Sequence, residues 1–102
     1  MDACRTILGS DYFLVHSLTL QASHLIVFAH LHLSDLISNI QSQDLALGFN
    51  NSVGNKGALK ISLNIGATTL CFISAHLHSG DKGCKKRNKD WARIEQLFLQ
   101  NN

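Results

Sequence analysis

The sequence predicts a mixed α/β body of α+β character, built from mostly antiparallel strands and closed by a C-terminal helix. Three observations predict it. Residues 58–65 alternate, with Leu59, Ile61, Leu63 and Ile65 on one face and Lys60, Ser62 and Asn64 on the other, the pattern of a strand with one buried face. A tight Gly66-Ala67-Thr68 connection leads into residues 69–75, apolar on both faces as an interior strand of a covered sheet would be, so the two runs form a hairpin. Trp91, Ile94, Leu97 and Phe98 then recur at helical spacing near the chain's end. Strands followed by a helix, rather than strict alternation of the two, argue for antiparallel pairing.

The remaining elements follow in chain order. Residues 12–18 and 23–29 are rich in aromatic and branched apolar side chains and read as two strands, with a hairpin or bend at 19–22. Across residues 30–42 the spacing of Leu33, Leu36, Ile37 and Ile40 predicts a short helix or turn. Residues 44–48 form a further short strand before a glycine-rich loop at 49–57. The final helix spans roughly 84–100, with Lys89, Arg93 and Gln96 on its wet side and Trp91 in its apolar stripe.

Composition bounds the class. The chain has 102 residues, of which 45% are hydrophobic and 16% charged, and its mean hydropathy is +0.05. That is too apolar for disorder and long enough for one core. The longest apolar run, Leu25 to Ala29, is far short of the ~20 residues needed to span a bilayer. There is no proline, no repeat and no linker-like stretch, so residues 1–102 read as one continuous body. Cys4, Cys71 and Cys84 are an odd, widely spaced set. With no leader-like N-terminus they fit a reducing, cytoplasmic setting, and the Asn50-Asn51-Ser52 glycosylation pattern carries little weight.

Charge is unevenly spread. Through residue 55 one base, Arg5, faces four acids, Asp2, Asp11, Asp35 and Asp44. Between residues 82 and 93, Lys82, Lys85, Lys86, Arg87, Lys89 and Arg93 face Asp90 alone. Such a cluster attracts phosphates or an anionic surface, and its alternative reading is a solvated helix face. The loop Gly54-Asn55-Lys56-Gly57 can bring backbone amides and an ammonium to an anion; the alternative is a plain hairpin connection, and it is not a Walker loop. His76 stands where an apolar strand emerges, a place suited to a catalytic group or to a structural histidine. His30 and His32 have the spacing of a metal-binding pair, but no further ligand accompanies them.

In order, Gly54-Asn55-Lys56-Gly57-Ala58, an alternating strand, Cys71-Phe72-Ile73-Ser74-Ala75-His76-Leu77 and Arg87-Asn88-Lys89-Asp90-Trp91 closely resemble the central part of the inositol polyphosphate 5-phosphatase catalytic domain. The resemblance runs over about residues 12–98. It implies part of the four-layer α/β sandwich of the endonuclease/exonuclease/phosphatase fold. It also implies a magnesium-dependent phosphatase acting on the 5-phosphate of phosphoinositides or soluble inositol phosphates. Residue by residue, it implies a catalytic role for His76, substrate binding by Asn55, Lys56 and Arg87, and structural support from Asn88 and Asp90.

The same resemblance places the family's magnesium glutamate before this chain's start, and its Gly-Asp-x-Asn strand and Asp-His pair beyond its end. The chain alone is therefore expected to hold no catalytic metal, and the alternative is a non-catalytic module that binds anionic phosphoinositides. Peripheral contact with an anionic membrane is expected; a nucleic-acid ligand, as in nucleases of the same fold, is not. His78-Ser79-Gly80 departs from the family's small residues after His-Leu and sets an extra imidazole near the site.

Overall fold

The computed structural model describes residues 2–47 and 56–99. A short helix, α1 (Asp2–Leu8), precedes a hairpin of β1 (Tyr12–Leu20) and β2 (Ser23–His30). Nothing in the periodicity of residues 2–8 announced α1. The hairpin turns on two residues, since Leu20 pairs with Ser23, and Gln21 takes a positive φ of 54° to match the strands' twist.

A 3-10 turn (Leu31–Leu36) then leads directly into β3 (Ile37–Ala46), which replaces the expected helix beyond residue 36 and absorbs the expected strand at 44–48. The reason is a bulge. Between Ser38 and Gln41 the register with the neighbouring strand shifts, with Asn39 at φ 53°, and this moves Ile40 out of strand alternation. Ile37 and Ile40 thus mimic helical spacing with Leu33 and Leu36.

Strand β3 pairs antiparallel with β4 (Gly57–Ile65), which pairs antiparallel with β5 (Thr68–His76), giving a meander with β4 in the middle. One face of this sheet meets β1 and β2 through Leu63, Ile65, Leu70 and Phe72 against Val15, Val27 and Phe28, and His16 Nε2 lies 3.1 Å from Ser42 Oγ across the gap. Gly57 is required there: a Cβ on it would come within 2.5 Å of Leu20 Cδ2 and 2.6 Å of the Leu45 carbonyl.

The other face is covered by α2 (Cys84–Ile94) and the π-helical segment Glu95–Leu99 that continues it. Leu47, Ala58, Ile94 and Phe98 form a buried cluster between helix and sheet. The way this cover packs corrects the readings of Lys60 and Trp91. Lys60 is 5% exposed rather than solvated, because helix and sheet close over it and its Nζ donates to the Phe98 carbonyl. Strand β5, read as an interior strand whose cover lies outside this sequence, is an edge of the sheet among the described residues, and Phe72 is 40% exposed. Trp91, read as core, is 46% exposed, while Ile94 and Phe98 alone reach full burial on that stripe.

Candidate functional site

The register of β4 with β5 assembles the site. Gly57 pairs with His76, so the residue entering β4, Lys56, and the residue leaving β5 lie side by side, with Lys56 Nζ 3.2 Å from His76 Nε2. The ammonium can only donate, so the imidazole accepts. The Leu47 amide donates to the Lys56 carbonyl at 3.0 Å and closes the base of the segment between β3 and β4. Asn55 and the rest of the Gly48–Gly54 motif lie outside the described residues.

Beyond His76 the chain turns through residues 77–83 into α2. Two side chains of α2 hold this turn. Arg87 Nη1 donates to the carbonyls of His78 at 3.1 Å and Gly80 at 2.8 Å. Asp90, only 4% exposed, accepts through Oδ2 from the His78 amide at 3.1 Å and from His78 Nδ1 at 2.6 Å. Gly83 is the helix N-cap, and a Cβ there would strike the Ser79 carbonyl at 2.6 Å and Arg87 Nη1 at 2.9 Å, so glycine permits this packing. Asn88 is exposed and reaches Cys84 Sγ at 3.9 Å along the helix.

The result is an open cleft of about 410 Å³ lined by Lys56, His78, Ser79, Gly80, Asp81, Lys82, Gly83 and Lys86. Three ammonium groups face one carboxylate, and the N-terminal end of α2 opens into the same space. Both features favour an anion. The structure therefore brings together Lys56, His76 and, through the turn they hold, Arg87 and Asp90. Local spacing had marked Lys82 and Lys86 only as members of a basic cluster. The family resemblance had set the His78 imidazole near the site without a partner, because Asp90 is twelve residues away and meets it only once α2 packs back.

Elsewhere, no third His, Cys, Asp or Glu joins His30 and His32 in a metal-ligating group among the described residues. Their rings lie 4.4 Å apart, His30 Nδ1 accepts from the His32 amide, and Tyr12 stacks edge-on against His30. Among the described residues no group of three or more His, Cys, Asp or Glu side chains could hold a metal ion. No described helix is long and apolar enough to cross a membrane.

Comparison with known proteins identifies the family and the fold. The sequence profile of Endonuclease/Exonuclease/phosphatase family 2 matches residues 2–101. The chain is 34% identical over 87 residues to type I inositol polyphosphate 5-phosphatase 4 of Arabidopsis thaliana, covering 83% of this chain and 16% of that protein. It is 32% identical over 85 residues to synaptojanin-2 of Homo sapiens, covering 83% of this chain and 6% of that one. It is 32% identical over 94 residues to phosphatidylinositol 3,4,5-trisphosphate 5-phosphatase 2B of Danio rerio, covering 92% of this chain and 8% of that one. Among solved structures, the inositol polyphosphate 5-phosphatase domain of SPsynaptojanin, in complex with inositol (1,4)-bisphosphate and calcium ion, superposes with a TM-score of 0.79 at 27% identity. That match covers 92% of this chain and 27% of the other. The chain thus spans a small part of the length of the relatives it matches.

Proposed function

The chain belongs to Endonuclease/Exonuclease/phosphatase family 2, alongside the inositol polyphosphate 5-phosphatases, and from that premise we propose that it forms part of a phosphatase removing the 5-phosphate from phosphoinositides or inositol polyphosphates. The observation that carries the proposal is the Lys56–His76 contact at 3.2 Å beside a lysine-lined cleft. Phosphoryl transfer asks for charge neutralisation and positioning more than for covalent help, and these residues supply both.

In this reading a phosphate oxygen takes the place of His76 as acceptor for Lys56. The freed imidazole then stands next to phosphorus, able to hold or move a proton at Nε2. Asn55 contributes to the same phosphate, Asn88 and Asp90 keep α2 and the turn in place, and Arg87 acts on substrate through the turn it clamps and through its remaining N–H groups. Magnesium dependence belongs to the proposal for the whole catalytic unit. The described residues do not fit a magnesium site.

The test is equilibrium binding of a soluble 5-phosphorylated inositol, with phosphate release measured in parallel. Lys56→Ala should weaken binding about tenfold, as the loss of one charge-assisted contact predicts. Unchanged affinity would remove the cleft from consideration. In any polypeptide of this sequence that turns over, His76→Ala should lower kcat by roughly two orders of magnitude or more.

A second reading is favoured by the combination of a cationic cleft with no metal-binding group among the described residues. It makes the chain a non-catalytic module that binds phosphoinositide headgroups at the cytoplasmic face of a membrane. Vesicles containing phosphatidylinositol bisphosphate should then bind it in a salt-sensitive way, and neutralising Lys85 and Lys86 should weaken that binding. Hydrolysis by the same polypeptide would decide for the first reading.

A further inference from the structure

We infer that His78 is a specificity-determining residue of the cleft, reading a hydroxyl group of the phosphorylated ligand through Nε2; this rests on the phosphate-cleft reading above. The Asp90 carboxylate is nearly buried and can only accept, and it takes both the His78 amide and Nδ1 at 3.1 and 2.6 Å. In the neutral ring the proton is therefore on Nδ1, and Nε2 then keeps its lone pair. The ring is 30% exposed, lines the cleft with Lys56, Lys82 and Lys86, and its Nε2 has no partner among the described residues.

The lysines around it are donors only. They favour any phosphate equally and cannot distinguish a ligand by its hydroxyl groups. An acceptor of fixed tautomer set among them can, because it demands a hydrogen-bond donor at one place beside the phosphate. The ligand class that satisfies both is a polyol phosphate with a free hydroxyl next to the bound phosphate. Inorganic phosphate or an alkyl phosphate meets only half the requirement. Asp90 is the positioning residue of the pair, since it acts on the ligand only through the ring.

The experiment uses the 102-residue chain with two probes of equal charge, inositol 1,4-bisphosphate and cyclohexane-1,4-diol bisphosphate, which has no free hydroxyl. Calorimetry should show a preference of roughly fivefold for the inositol ligand, the range of one net hydrogen bond. His78→Ala and, as a second variant that keeps a polar side chain, His78→Gln should abolish the preference while both probes still bind. Nitrogen-15 NMR of the unmodified chain should find His78 protonated at Nδ1, with the Nε2 resonance moving on addition of inositol 1,4-bisphosphate. Asp90→Asn should mix the tautomers and reduce the preference. A ring protonated at Nε2, or a preference that survives in both His78 variants, overturns the inference. If Lys56→Ala weakens both probes in that case, the phosphate cleft stands and only the role of His78 falls. If neither probe binds, or Lys56→Ala changes neither affinity, the cleft reading itself fails.

Discussion

Strands β4 and β5 are paired over nine positions each, run side by side and are both rich in apolar residues, yet their surroundings differ sharply. Leu59 and Ile61 of β4 have no exposed surface, whereas Phe72, the partner of Ile61 on β5, is 40% exposed. The difference shows that burial here is set by what covers a strand rather than by what the strand is made of. Strand β4 has strands on both edges, β1 and β2 over one face and α2 over the other. Strand β5 has one strand neighbour among the described residues: Leu70 and Phe72 face β1 and β2, Ile73 packs toward α2 and the turn held by Arg87 and Asp90 supports its end, but none of these three side chains is fully buried.

The hardest test of this contrast is truncation inside β4. Ile61→Ala should cost about 2–5 kcal/mol of unfolding free energy by urea denaturation, the range for emptying a fully packed aliphatic site. A loss below about 1 kcal/mol would mean the two strands are equally accommodating. Gly83→Ala addresses the supported end of β5. The new Cβ meets a backbone carbonyl at 2.6 Å, so the cost should be about 1–3 kcal/mol, and phosphate binding should weaken because the cleft wall shifts. The smallest effect belongs to the middle of β5. Phe72→Lys should change stability by less than ~1 kcal/mol, but should reduce concentration-dependent association in analytical ultracentrifugation, since the strand's outer edge and an exposed ring favour edge-to-edge contact. Unaltered association would show that β5 is not the adhesive edge.

These contrasts also explain what could be read before the fold was known. Strands β1, β2, β4 and β5 and helix α2 were legible because their patterns are local. Strand β3 was not, because its bulge at Ser38–Gln41 imitates a helical repeat that only pairing with β4 exposes as irregular strand. Lys60 was misplaced for a related reason: alternation says which face a residue shares, and does not say whether a helix later covers that face. At the site, Lys56 and His76 stood out as motif residues, and their contact follows from the hairpin register. The Asp90–His78 pair is tertiary, and no spacing rule links a turn residue to a carboxylate two helical turns inside α2.

The contact between Lys60 and the Phe98 carbonyl has a consequence for how the molecule opens. It ties the central strand to the last turn of the helical segment, the part of a helix that ordinarily frays first. Fraying there would strand a nearly buried ammonium without that acceptor, so the helix end and the middle of the sheet should open as one cooperative unit. Amide hydrogen exchange should then report similar protection for residues near Ile61 and Phe98. The cleft at the opposite end of α2 should thereby share that protection, which would hold Lys82, Lys86 and His78 in fixed relation.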